Sequence, residues 1–413
     1  MPGYTSPLAE QLADDVLARF ERYARIDTRS EIDSDSCPTT PGQLELGRML
    51  AAELKEIGLE DAEQDADGYV YATLPGDGPV IGLLAHVDTS PEVTGTGVEP
   101  IVHRGYDGGP IALPLEGTVI DTPQLRAQAG DDVVTGSGNT LLGADDKAGV
   151  AEIMAAVAHL AANPDLPRPT LRIGFLPDEE IGRGPHRFDV EKFGARCAYT
   201  MDGSVRGELQ AESFTAAGVE VTFRGVDIHP GFATGIMVNA VRLLGRFLAA
   251  LPADVAPETT SGRDGFIHPF DIRGGVAEAR VRLIIRDFED DLLHEKVERV
   301  RAIAEEVVAS EPRATVDVEA TPQYPNMRDH LKPFPDVVDK ARAAIVAEGI
   351  EPIENPIRGG TDGSQLSAMG LPTPNIFAGG QEFHSRREWV TVQDMAAASA
   401  VIVRLAAEWA GTE

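Results

Sequence analysis

The chain has two cysteines in 413 residues, too few for a disulfide framework in a protein of this length. Basic residues are also scarce. Lysine and arginine total 36 against 67 aspartates and glutamates, a formal net charge of −31. A partner for nucleic acid or for an anionic membrane needs the opposite sign, so neither is expected. No run of roughly 18 or more apolar residues occurs, and no membrane-spanning helix is predicted. The opening stretch, MPGYTSPLAEQLADDVLARF, has neither the basic nor the apolar region of a secretory signal. A reducing, cytoplasmic setting fits these absences. Several catalytic signatures are missing as well: no G-x-S-x-G elbow, no H-E-x-x-H, no Walker A loop and no G-x-G-x-x-G. HEKVE at 294–298 opens like the zinc helix motif but lacks the second histidine, and reads as a solvated helix face.

What is present is a large supply of core-forming residues, 42% of the chain, with no low-complexity tract and no evident repeat. LAEQLADDVLARFERYARI and QLELGRMLAAELKEIGL carry apolar residues three and four apart, the spacing of amphipathic helices. YVYATLPG and PVIGLLAHVD read as strands, the second apolar enough to be buried on both faces. Val150, Ile153, Met154, Val157 and Leu160 then form one helical stripe, and TLRIGFLPDEE and CAYTMDGS are apolar runs that end in acids. Strands alternating with helices predict a mostly parallel sheet flanked by helices.

The pattern changes near residue 214. VEVTFRG alternates, NAVRLLGRFLAAL is helical, and FIHPFDIRG and VAEARVRLIIRDF read as strands. In the last of these Ala279, Val281, Leu283 and Ile285 share one face, opposite Arg280, Arg282 and Arg286. A helix over about 289–309 and a strand in ATVDVEAT complete a β-α-β-β-α-β order, the ferredoxin-like arrangement. The α/β pattern resumes afterwards, with a helix near 335–348, a strand in PTPNIFAGG and a last helix in DMAAASAVIVRLAAEWAG. The expected architecture is an α/β domain, residues 1–213 and 327–413, interrupted by a smaller α+β domain over 214–326.

The chemistry gathers at the predicted strand ends. LLAHVD finishes in His86 and Asp88, GFLPDEE in Glu179 and Glu180, and YTMD in Asp202; His384 follows NIFAGG, and Asp145 begins the helix after LLGA. In open α/β sheets ligand sites lie outside the carboxyl ends of the strands. Histidines and carboxylates converging there suit zinc or another divalent ion such as manganese or cobalt, whose charge lets many acids share one cleft. In His86-x-Asp88 the two side chains lie on one side of a strand, so Asp88 is placed to accept the second ring N–H of His86. Adjacent Glu179 and Glu180 diverge at a strand end, which leaves one free to bind metal and the other to move a proton. His103, His159, His186, His268, His294 and His330 have no such companions and read as structural or surface residues.

These residues sit in segments that resemble a known family. LLAHVDTSP, TLLGADDKAGVAEIM, PDEEIGRG, YTMDG, HPGFATGIMVNA, IIRDFE, PIRGGTDGSQLSAMGLPTPN and FHSRREWV are together similar to peptidase T. That family comprises the tripeptide aminopeptidases of the two-zinc exopeptidase superfamily, which also includes carnosine dipeptidases and aminoacylases. The resemblance implies a catalytic domain holding two Zn2+ ions and an inserted domain that serves as lid and dimerisation unit, hence a homodimer. It makes Asp145 the bridging ligand, His86 and Asp202 the remaining ligands of one ion, and Glu180 and His384 those of the other. Glu179 is implied to be the general base and Asp88 the partner of His86. On the substrate side it places His229, Asn239, Arg286, Thr361 and Asp362. Arg286 in that position suits a peptide's terminal carboxylate, which a guanidinium grips through two parallel hydrogen bonds.

The expected function is therefore hydrolysis of the N-terminal residue from short peptides, tripeptides first, by a metal-bridging water with Glu179 as base. A dipeptidase or an N-acyl-amino-acid amidohydrolase using the same metal site is the rival, and a non-catalytic scaffold on the same fold a third reading. Recognition of a free α-amine separates the first two, and Asp178 and Asp362 are the candidates for it. Two departures from the family pattern stand out. The closing motif reads His384-Ser385 where the family has His-Gly, and TGSGN ahead of TLLGADDK reads as a surface loop.

Overall fold

The structure is a computed structural model that describes residues 3–411. It divides into two compact units. The first takes the chain up to Ala211, Asp329–Asn355 and the chain from Thr361 onward; the second takes Glu212–Arg328 and Pro356–Gly360.

A seven-stranded sheet organises the first unit, in the order Glu63–Gln64, Val70–Leu74, Thr170–Leu176, Val80–His86, Cys197–Gly203, Asn375–Phe377, Leu209–Gln210. The four strands from Thr170–Leu176 to Asn375–Phe377 are mutually parallel. The flanking strands run antiparallel to their neighbours. The sheet is thus parallel at its centre and mixed overall. Alternation sends successive side chains of the His86 strand to opposite faces. Ile81, Leu83 and Ala85 join the main core, while Leu84 joins an aromatic cluster with Tyr69, Tyr71, Phe188 and Phe193. Helices Pro7–Ala24, Ala144–Ala162 and Val392–Trp409 bury their apolar side chains in the main core. Two of them begin on side-chain caps: Ser6 accepts from the Ala9 amide and Thr391 from the Asp394 amide.

TGSGN proves to be interior: Thr135 to Gly138 are all buried. Thr135 ends the strand Val133–Thr135, which pairs with Trp389–Thr391 on one side and Ile101–His103 on the other. Its small polar residues describe a tightly packed turn, and composition alone does not distinguish that from a solvent loop.

The second unit is a four-stranded antiparallel sheet in the order Phe266–Gly274, Glu278–Asp287, Thr215–Arg224, Thr315–Tyr324, with helices Ala240–Ala250 and Asp290–Ala309 packed on it. Counted along the chain this is 2-3-1-4, the ferredoxin-like order. Ala279, Val281, Leu283 and Ile285 point into its core, as the alternation requires. Among the described residues no helix is long and apolar enough to cross a membrane.

Candidate metal centre

The central strands deliver their last residues to one edge of the sheet of the first unit. His86 ends Val80–His86 and is buried. Its Nε2 lies 2.9 Å from Asp145 Oδ1 and 3.7 Å from Asp202 Oδ1. Its other ring nitrogen, Nδ1, lies 3.2 Å from the Asp88 backbone carbonyl oxygen and 3.3 Å from Asp88 Oδ1. The other oxygen of Asp145, Oδ2, is 3.4 Å from His384 Nε2, and His384 Nε2 is 2.8 Å from Glu180 Oε2. Asp145 therefore presents one oxygen to a His86–Asp202 group and the other to a His384–Glu180 group.

Each of these placements has a local cause. Asp145 and Asp146 open the helix Ala144–Ala162 with non-helical backbone angles. Asp88 is fully buried and anchors the loop after Thr170–Leu176: its carboxylate accepts the amides of Glu179 at 3.0 Å and Glu180 at 3.1 Å, and the Ser30 hydroxyl. Asp178, immediately before, adopts a left-handed backbone, φ 60°. This turns it away from its two neighbours. His384 also has positive φ, 56°, whereas Ser385 is not among the left-handed residues. A serine in place of the family's glycine thus brings no backbone strain there, and its Oγ donates to the Glu382 carbonyl at 2.7 Å.

The electrostatics are those of a cation site. Burial opposes a charge on His86, but Asp145, Asp202 and Asp88 outweigh it and hold the imidazole well above its usual range. His384, likewise opposed by burial, is raised to about 11 by Asp145 and Glu180. Burial would raise Asp145, yet its bonds to His384 and His86 keep it below the ordinary carboxylate range. Glu179 is pushed well above that range by burial, with His86 opposing and Asp362, Asp202 and Glu180 adding to the effect. Glu180 Oε1 is buried with no hydrogen-bond partner. An imidazole-and-carboxylate donor set with an orphaned buried oxygen fits a divalent ion of the zinc type. Donor atoms of His86, Asp145 and Glu180 fall within 4.8 Å of one another, as do those of His86, Asp146 and Asp202.

The other sequence-predicted residues fall out differently. Asp178 is already committed: it accepts from the Thr39 amide at 2.9 Å, from Gln43 Nε2 at 2.8 Å and from the Thr39 hydroxyl. Buried and with both oxygens engaged by the Thr39–Gln43 segment, Asp178 is spent on structure, and Asp362 is the better-placed candidate for a substrate amine. Asp362 is buried with Oδ1 unpartnered and held above the usual range first by its burial. Thr361 is the N-cap of helix Asp362–Ala368, and its hydroxyl donates to Asn375 Oδ1 at 3.2 Å. His229, Asn239 and Arg286 belong to the second unit. His229 is exposed and its Nδ1 accepts the Gly231 amide; Asn239 caps helix Ala240–Ala250; Arg286 lies over the Tyr324 ring at 4.8 Å, with a buried Nη1 that has no partner.

Sequence reading missed Asp146, whose carboxylate accepts the His86 amide at 3.2 Å, and Glu388, which accepts three amides of the loop leading into Asp145. For Asp146 the signal was the doubled acid of DDK. For Glu388 the signal was only its place in FHSRREWV, and its partners lie more than 240 residues away.

The chain is similar in sequence and in fold to known peptidases. The sequence profile of Peptidase family M20/M25/M40 matches residues 132–408. A peptidase T from Listeria monocytogenes serotype 4b (strain CLIP80459) is 47% identical over 403 residues, 96% of this chain and 98% of that protein. One from Bacillus licheniformis is 48% identical over 398 residues, covering 94% and 97%. In fold, the chain is similar to the crystal structure of aminopeptidase PepT from Bacillus cereus ATCC 10987: TM-score 0.73, 21% identity, with 96% and 98% of the two chains covered.

Proposed function

The chain belongs to peptidase family M20/M25/M40, within its peptidase T group, and from that premise we propose that it is a cytoplasmic two-zinc aminopeptidase that removes the N-terminal residue of short peptides, chiefly tripeptides. The observation that carries the reading is the division of Asp145, one oxygen toward His86 and the other toward His384. His86 and Asp202 would hold one ion, Glu180 and His384 the other, and Asp145 both. When bound, the pair of ions supplies a water made acidic near neutral pH and a polarised scissile carbonyl.

The chain's own residues do the rest. Asp88, whose backbone carbonyl and Oδ1 face His86 Nδ1 at 3.2 and 3.3 Å, fixes the imidazole tautomer so that Nε2 presents its lone pair to the ion. Glu179 takes the proton of the attacking water and returns it to the departing amine nitrogen. The neighbour, Glu180, points its Oε2 at His384 instead, which separates the ligand from the base. Asp362 is the proposed partner of the substrate's free amine. From the second unit, Arg286 is proposed to take the terminal carboxylate and His229 the reacting carbonyl of a homodimeric enzyme; Asn239 and Thr361 border the peptide.

The test is hydrolysis of a matched panel by zinc-loaded protein: a free tripeptide, its dipeptide, its tetrapeptide and its N-acetylated form. Tripeptide cleavage that a chelator abolishes supports the reading. Preference for the dipeptide or the acetylated form would keep the metal site and replace the aminopeptidase by the dipeptidase or amidohydrolase.

A further inference from the structure

Glu388 is 2% exposed, and its carboxylate is spent on a loop far away in the chain. Oε2 accepts the amides of Leu142 and Gly143, both at 2.8 Å, and Oε1 accepts the amide of Asp145 at 3.0 Å. Those amides need an outside acceptor. Gly143, the N-cap of the helix Ala144–Ala162, has no side chain to offer, and Asp145 itself has non-helical φ and ψ. The carboxylate is held firmly in turn. Trp389–Thr391 follows directly and pairs with Val133–Thr135, and Trp389 exchanges backbone hydrogen bonds with Gln381. Glu388 also lies four residues after His384. One buried side chain thus ties the His384 segment to the loop that carries Asp145, two of the three segments proposed to supply the second ion's ligands.

We propose that Glu388 is a positioning residue. It sets where Asp145 divides its two oxygens, and through that the separation and joint occupancy of the two metal sites. This rests on the two-metal reading above. A carboxylate suits the position because its two oxygens accept three amides at once, and because a negative charge complements the amino end of a helix. A glutamine in its place has one accepting oxygen; it keeps Leu142 and Gly143 but turns an N–H against the Asp145 amide. Alanine releases all three.

The experiment is calorimetric titration of metal-free protein with Zn2+ alone for the parent, E388Q and E388A, with circular dichroism as the check on folding. Hydrogen exchange of residues 141–146 and tripeptide kinetics accompany it. In the parent two ions bind. In E388Q the weaker site is expected to lose about 10-fold in affinity and in E388A about 100-fold, the range typical of groups that orient metal ligands. Exchange over 141–146 should quicken, and kcat should fall with KM nearly unchanged. Should E388A fail to fold, isosteric E388Q decides. A folded variant that binds two ions as tightly as the parent overturns the proposal while leaving the two-metal reading intact. A parent that takes up no second ion overturns both.

Discussion

Replacing Asp88 by asparagine removes one charge and leaves the shape of the side chain unchanged, so its effects trace to hydrogen bonding. In the parent, Oδ1 accepts the Glu179 amide at 3.0 Å and faces His86 Nδ1 at 3.3 Å; Oδ2 accepts the Glu180 amide at 3.1 Å and the Ser30 hydroxyl. Asparagine has one oxygen. Placed at Oδ2 it keeps Glu180 and Ser30, and its amino group then meets the Glu179 amide donor to donor. A buried amide left unpaired costs about 1–3 kcal/mol, and the surviving bonds lose their charge assistance, worth roughly 1 kcal/mol more. At roughly 2–4 °C per kcal/mol for a large domain, the metal-free Tm should drop by about 4–16 °C. The second effect is chemical. An amino group facing His86 Nδ1 opposes a proton there, leaving the Asp88 backbone carbonyl at 3.2 Å as the remaining acceptor that keeps the lone pair on Nε2, the nitrogen that points at Asp145 and Asp202. Metal affinity should then fall about 10- to 100-fold. Calorimetry of D88N, scanned without metal and titrated with Zn2+, reads both. A variant with the parent's Tm and the parent's affinity would refute the claim that Asp88 organises His86 and the Glu179–Glu180 turn.

E179A should lower kcat by about 10²- to 10⁴-fold while metal uptake stays at the parent value; retained turnover would remove Glu179 from its role. D178A should unfold more readily, by about 2–4 kcal/mol in a denaturant titration, because the Thr39 and Gln43 donors lose their acceptor. Its ratio of KM for free to N-acetylated peptide should not move, whereas D362N should raise KM for the free peptide selectively; the opposite pattern would return Asp178 to the amine site. Glu152 is fully buried with neither oxygen hydrogen-bonded, and burial, then Asp146 and Asp394, raise its carboxyl well above the usual range. The folded state therefore holds that proton to higher pH than the unfolded chain does, and stability is lost as pH rises above the ordinary carboxylate range. E152Q removes that loss, so its Tm advantage over the parent should widen between pH 5 and pH 8, by about 2–4 °C for each kcal/mol recovered. Parallel melting curves across that range would contradict it.

Local pattern determined a good deal of this protein. Period-3.6 stripes marked the helices Ala144–Ala162 and Val392–Trp409, and alternation marked which face of Glu278–Asp287 enters the core. The apolar runs that stop at His86, Glu179 and Asp202 announced where polar chemistry begins, because a buried strand carries acids only where it leaves the core. Strand partners were another matter. Nothing local distinguishes Val70–Leu74, antiparallel to Thr170–Leu176, from the parallel strands beside it, since direction within a sheet depends on where the chain re-enters it. The same holds at the site. Asp178, Glu179 and Glu180 are consecutive and chemically alike, and only the left-handed turn at Asp178 sends the first to Thr39 and Gln43 and the third to His384. Glu388 carries no role in the sequence pattern, and only the fold sets it against the Asp145 loop. Hydropathy and periodicity are properties of a residue and its neighbours in the chain, so sequence carries them in full; which carboxylate meets which amide is a property of pairs hundreds of residues apart, and only the tertiary structure decides it.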